Sequence, residues 1–255
     1  MILKRWEDLP EFMKNKSVEK YYYILYRKRL SLIMKRIFDF VLAIITLIIL
    51  LPLFIILSVA IKMDSRGPIM FRQIRVTQYG KKFKIFKFRT MVNNADKIGS
   101  QITTKNDARV TRVGRVLRKF RLDEIPQLIN IISGDMSFVG TRPEVPKYVE
   151  RYTDEMWATL LLPAGVTSEA SIQYKDEELL LTNGKDVDEL YVNKVLPKKM
   201  KYNLKSIEEF SLINDMKTML RTVIAVYKKK ENKDAGNTNL SVSNIEIQKD
   251  RRYFL

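Results

Sequence analysis

The chain alternates between one long apolar stretch and a series of short amphipathic segments. From Phe38 to Ile61 only Asp39, Thr46, Pro52 and Ser58 interrupt the apolar character. A straight spanning helix needs about 20 such residues, so the length suffices for a crossing. Pro52 lacks an amide hydrogen and clashes with the turn before it, which predicts a kink over residues 48–52. The flanks are alike. Arg27, Lys28, Arg29, Lys35 and Arg36 precede the run, and Lys62, Arg66, Arg72 and Arg75 follow it. A crossing helix is expected to show charge asymmetry. A helix that enters, bends at the proline and leaves on the same face accounts for both features. A kinked single crossing and a buried soluble helix remain as alternatives. Asp39 is costly in lipid and is expected to pair with Arg36 or with a basic residue of the globular part.

Beyond the run, Asp64-Ser65-Arg66-Gly67-Pro68 reads as a turn. Ile69–Val76 and Phe83–Phe88 read as strands joined through Gln78-Tyr79-Gly80-Lys81-Lys82. Phe83, Ile85 and Phe88 are apolar, whereas Lys84, Lys87 and Arg89 are cationic. Residues 92–108 are polar and read as a connection, either solvated or covering a site. Arg112, Arg115 and Arg118 recur every third residue beside a stripe of Val113, Val116, Leu117 and Phe120, which predicts an amphipathic helix with a basic face. A second helix starts near Leu122-Asp123-Glu124-Ile125-Pro126, with Asp123 or a neighbour as its cap, and stops at Ser133-Gly134. Phe138 and Val139 form a short strand leading into a turn in which Pro143 stiffens the backbone at Arg142. Residues 144–162 are read as one amphipathic helix. Residues 174–183 and 186–203 read as charged helices broken at Asn183-Gly184 and Pro197. Phe210–Tyr227 is the last amphipathic helix, followed by a polar tail.

Charge sharpens this picture. The formal net charge is +17. Residues 1–150 hold 29 Lys/Arg and 13 Asp/Glu, a net of +16, and the rest hold 17 and 16, a net of +1. Such a field favours lipid headgroups, nucleotides or nucleic acid. With no Cys and no His, disulfides, thiol nucleophiles, histidine bases and the usual zinc sites are excluded. A metal would need oxygen ligands. Covalent catalysis would fall to Asp, Glu, Ser, Thr, Tyr or Lys. Glu7, Asp8 and Glu11 speak against a signal peptide, and the flanking charge predicts a cytoplasmic amino end. Capping explains one acid of Asp123-Glu124, but not two among so many arginines. Arg112 and Arg142, with Arg89, Lys87 and Arg115 nearby in sequence, are the candidate cations for a diphosphate, since guanidinium forks match phosphate oxygens.

In their order and spacing, these segments resemble the bacterial sugar transferases, the monotopic polyprenol-phosphate phosphoglycosyl transferases. The match runs from about Lys35 to Lys230. It includes Lys87-Phe88-Arg89-Thr90-Met91, Leu122-Asp123-Glu124-Ile125-Pro126-Gln127-Leu128, Gly134-Asp135-Met136-Ser137 and Val139-Gly140-Thr141-Arg142-Pro143. The resemblance implies an α+β monotopic membrane protein. It would have a kinked re-entrant membrane helix and a small, mostly helical catalytic domain with short strands. Its expected parts are an extension near the membrane over 1–34, the membrane helix over 35–61 broken at Pro52, a cytoplasmic catalytic domain over 62–230 and a tail over 231–255. The implied reaction transfers a sugar-1-phosphate from a UDP-sugar to a polyprenyl phosphate at the bacterial inner membrane and releases UMP. Asp123 corresponds to the family's nucleophile and Glu124 to the glutamate associated with Mg2+. Arg142 corresponds to the arginine of a Pro-Arg-Pro motif whose first proline is Thr141 here. Leu162-Pro163-Ala164-Gly165-Val166-Thr167-Ser168 resembles a Pro-Gly-Ile-Thr-Gly stretch with one residue inserted. No nucleic-acid partner is implied, and a homodimer is one open arrangement. The competing readings are a membrane-anchored protein that binds anionic polymer and a non-catalytic scaffold.

Overall fold

Asn15 opens the first regular helix, because its side chain accepts a hydrogen bond from the Val18 amide and so satisfies one orphan donor. The computed structural model describes residues 3–95, 107–174 and 187–234. The expected helix over 174–183, most of the 92–108 connection and the tail past residue 234 therefore lie outside the described residues. Helix α1 spans Lys16–Arg27, and α2 spans Arg29–Asp64 with Pro52 inside it. A hairpin of β1 (Met70–Val76) and β2 (Lys82–Phe88) follows, antiparallel with Met70 opposite Phe88 and Val76 opposite Lys82. Then come α3 (Arg112–Lys119), a 3-10 turn over Leu122–Glu124, α4 (Gln127–Ser133) and β3 (Met136–Val139). Next are α5 (Pro146–Val149), a 3-10 segment over Met156–Leu161, and β4 (Ala164–Thr167), which pairs in parallel with β3. Helix α6 covers Glu169–Gln173. Helix α7 (Val187–Leu190) passes through a π turn at Tyr191–Val195 into α8 (Leu196–Glu208), and α9 spans Leu212–Asp234.

At 36 residues α2 is long and apolar enough to cross a membrane. It is helical beyond the expected limits at both ends, and it does not stand away from the rest of the chain. Ala43, Leu47 and Leu50 pack on Phe83, Ile85, Leu128, Ile131 and Met136. Phe54, Leu57 and Ile61 pack on Phe88, Val113, Leu117 and Leu122. Polar ties secure the two ends. Arg36 donates to the Ile131 and Ile132 carbonyls at the end of α4 (2.6 and 3.0 Å), where a cation also suits the helix dipole. Asp64 accepts from the Val113 amide at the start of α3 (3.0 Å). Arg89 donates to the Ile61 and Ser65 carbonyls at the end of α2. The opposite side of α2 leaves Ile45, Ile48, Ile49, Ile55, Ile56 and Val59 exposed, an apolar strip that suits lipid.

Asp39 finds a partner, but it is not Arg36. It lies 3.6 Å from Lys35 Nζ and accepts from Ser137 of β3 (2.7 Å), while Lys35 also reaches Asp215 of α9 (2.6 Å). Lys35, Asp39 and Ser137 are buried and Asp215 is half-buried, so the charges stabilise only as a set.

The first residues are part of the main core. Leu9, Met13, Val18, Tyr21, Tyr22 and Leu25 are buried in the same cluster as Tyr148, Tyr152, Met156, Leu196 and Met200. The single helix expected over 144–162 is instead α5, a turn and the 3-10 segment. Thr153 and Asp154 favour local side-chain bonds over helix continuation, and Pro163 forces Leu162 into an extended conformation. Pro197 does not break its helix. It sits at the start of α8, just after the π turn, where its missing amide costs little.

Candidate active site

Two backbone devices bring the acid pair to the hairpin. Asn130 of α4 accepts from the Phe86 amide and donates to the Lys84 carbonyl (both 2.9 Å), locking α4 to the edge of β2. This leaves Lys87 facing the Leu122–Glu124 turn. On the other side, Gly140 and Gly165 meet backbone to backbone: a Cβ on Gly165 would lie 2.1 Å from the Gly140 nitrogen. That approach presses the 140–143 turn against β4 and directs Arg142 inward. Arg75 supports the turn from behind by donating to the Pro143 carbonyl (3.1 Å).

Glu124 is the hub. Its Oε1 lies 2.5 Å from Arg142 Nη2, 3.2 Å from Lys87 Nζ and 3.7 Å from Arg121 Nη1. Burial pushes this carboxyl up, but Arg142, Lys87 and Arg121 together outweigh it and hold Glu124 well below the usual carboxylate range. Burial lowers the Lys87 ammonium, and Glu124 opposes that shift. Asp123 is different. It is 8% exposed, and its Oδ1 has no hydrogen-bond partner. Burial first, and then the Glu124 charge, push its carboxyl above the ordinary value, with Lys87, Arg121 and Arg118 pulling it back. Neither acid caps α4, which begins after Pro126 without a side-chain cap. The site thus holds one pinned, ionised carboxylate beside one desolvated, unengaged oxygen.

The structure gathers Asp123, Glu124, Lys87 and Arg142. Arg112 and Arg115 lie on the exposed face of α3. Arg89 is buried and tied to the end of α2. Arg118, expected on the basic face of α3, donates from its Nε to Thr90 (2.9 Å), whereas Arg121 and Gln127 were not singled out from the sequence. Gln127 is 1% exposed, and neither amide atom has a partner. Only its place four residues after Asp123, one helical turn on, could have pointed to it. Among the described residues no three acids converge on a metal position. Glu124, an oxygen ligand held ionised by its neighbours, suits a hard cation that keeps most of its shell from water and substrate.

The sequence model of the family described as bacterial sugar transferase matches residues 30–229. The chain belongs to that family. It is 43% identical over 122 residues to a UDP-N-acetylgalactosamine-undecaprenyl-phosphate N-acetylgalactosaminephosphotransferase of Aeromonas hydrophila, covering 48% of this chain and 29% of that one. It is 41% identical over 155 residues to an undecaprenyl-phosphate galactose phosphotransferase of Salmonella typhimurium, covering 55% and 32%. It is 35% identical over 192 residues to a UDP-glucose:undecaprenyl-phosphate glucose-1-phosphate transferase of Caulobacter vibrioides, covering 74% and 68%. The chain thus spans less than a third of the first two relatives and about two thirds of the third.

Proposed function

We propose that the protein transfers a sugar-1-phosphate from a UDP-sugar to undecaprenyl phosphate, releasing UMP, with Asp123 as the covalent nucleophile. The observation that carries this reading is the contrast between the two acids: Glu124 is held by three cations, whereas Asp123 Oδ1 is buried without a partner. A desolvated carboxylate oxygen with nothing to release is a ready nucleophile and needs no histidine base. It attacks the sugar-bearing phosphorus, and the bond from that phosphorus to the bridging oxygen breaks. UMP leaves with the electron pair. A phosphate oxygen of the lipid then attacks the same phosphorus and releases the Asp123 carboxylate. No net proton moves, and the two large anions are never bound at one phosphorus together. Arg142 and Lys87 face charge on the equatorial oxygens as it redistributes. Mg2+ held at Glu124 would supply charge neutralisation for the diphosphate and the departing UMP.

The reading extends to the membrane. Both halves of α2 and both of its ends rest on the same small domain. A straight helix of this length measures about 54 Å, more than the roughly 30 Å of hydrocarbon, and could not keep that domain at both ends in water. A re-entrant helix bent at Pro52, with the catalytic domain on the cytoplasmic face, satisfies these contacts. It also places the dyad near headgroup depth, where a lipid phosphate resides. The relatives' names differ in the sugar, so the donor sugar is what the assay must find. The test is UMP release from a panel of UDP-sugars in nanodiscs with Mg2+ and undecaprenyl phosphate. Release with one donor, and loss of about 10^4-fold or more in Asp123→Asn, is the expected result. Undiminished release in Asp123→Asn would refute the nucleophile.

A further inference from the structure

Arg121 has a left-handed backbone (φ 57°), and α3 and the 3-10 turn meet at it. Its amide donates to the Arg118 carbonyl (3.3 Å), so it occupies the position just past a helix that glycine ordinarily fills. A side chain there is strained, and closing the helix gives no reason for an arginine. The strain falls two residues from Asp123, where unusual backbone often marks function.

The side chain supplies the reason. Three cations surround Glu124, but they are not equivalent. Arg142 and Lys87 are mostly enclosed and lie 2.5 and 3.2 Å away. Arg121 is the farthest at 3.7 Å, and its side chain is 47% exposed. It holds Glu124 loosely, on the open side of the dyad. Glu124 keeps two closer partners if Arg121 leaves. We infer that Arg121 is a further substrate-facing cation of this site: on donor binding its guanidinium swings from Glu124 to the diphosphate and forks across its oxygens. The left-handed backbone thus carries a half-exposed arginine two residues from Asp123, at a position where glycine would be unstrained.

The inference rests on the phosphotransferase reading, and two measurements separate their failures. Arg121→Gly relieves the strained backbone and Arg121→Asn tolerates it, so both variants fold. Arg121→Gly should unfold a few °C higher than wild type. Its kcat/KM for the UDP-sugar should fall about 30-fold at the pH plateau, the size of one lost charge-assisted contact. Arg121→Lys should recover part of that loss. A plateau within about twofold of wild type would overturn the inference. So would a change confined to the acid limb of the pH profile, because Arg121 would then act through the ionisation of Asp123 and not on the donor. The second measurement is calorimetric binding of UDP with Mg2+. Weaker binding to Arg121→Gly supports the contact even if no donor turns over, in which case the reaction assignment fails and the phosphate contact stands. Equal binding overturns the contact.

Discussion

Replacing Glu124 by Gln removes one negative charge from the centre of three cations with almost no change in shape. Its Oε1 is within 3.7 Å of Arg142, Lys87 and Arg121, and the side chain is 11% exposed. Removing one partner of a buried pair typically costs about 3–5 kcal/mol, because the remaining charge is left desolvated and unpaired. Arg121 can turn to water, so the lower end of that range, about 3 kcal/mol, is appropriate. At roughly 2–4 °C per kcal/mol for a chain of this size, the midpoint of thermal unfolding should fall by about 6–12 °C at pH 7. The deficit should also depend on pH. Burial already holds Lys87 below its ordinary value against the pull of Glu124. Without Glu124, its folded pKa drops further below the unfolded value of about 10.4. Between the two values the unfolded chain binds a proton that the folded chain has released, so stability rises with pH. The deficit against wild type should therefore shrink towards pH 10. Pairing Glu124→Gln with Lys87→Met should remove that recovery. The assay is thermal unfolding of purified protein in nanodiscs at a fixed scan rate, from pH 6 to pH 10. A variant as stable as wild type, or a deficit equal at pH 7 and pH 10, would refute this account of the hub.

The other predictions use the same chain. Burial and Glu124 raise the folded pKa of Asp123, so the wild type loses stability as pH rises from the unfolded value, about 3.9, through the folded one. Asp123→Asn should therefore unfold above the wild type at pH 7, and this advantage should vanish below about pH 4. A variant less stable than wild type at pH 7 would contradict the desolvated assignment. Gly114→Ala would place a Cβ 2.1 Å from the Thr90 carbonyl oxygen, a backbone atom that cannot rotate away. It should cost about 2 kcal/mol or more in denaturant unfolding, with the Thr90–Arg118 contact loosened. The chain has no cysteine, so single cysteines at Lys28 and Lys62 can be labelled without background. In oriented vesicles both should react with an impermeant maleimide from the same side. Labelling from opposite sides would make α2 a crossing helix.

Local patterns carried much of the architecture into the sequence, and long-range contacts did not show there. The hairpin was legible because Phe83, Ile85 and Phe88 set a buried face against cationic neighbours, and the observed strands differ from the expected ones by a residue at an end. The basic helix at Arg112 and the apolar run were legible for similar reasons. The acid pair stood out because two adjacent carboxylates are hard to explain among arginines. Residues 3–27 gave no sign that their aromatic and aliphatic side chains fill the main core, since their partners lie near residues 148–207. Composition cannot tell a cation that faces substrate from one that closes a helix end, and the donation from Arg89 to the Ile61 and Ser65 carbonyls did not show in it. Arg121 was hidden for the converse reason. What distinguishes it is a backbone angle, and no residue type at that position announces one.

The set of Lys35, Asp39, Ser137 and Asp215 also fixes an order of events during synthesis. Lys35 is synthesised early, and Asp215 follows 180 residues later in the chain. At about 5–20 residues per second the wait is roughly 9–36 s. During that interval the apolar helix carries an ammonium balanced only by Asp39. Its seat on β3 and α9 cannot be completed until the carboxyl-terminal helix emerges. A chain that stops before α9 therefore leaves Lys35 with Asp39 as its acidic partner and without Asp215.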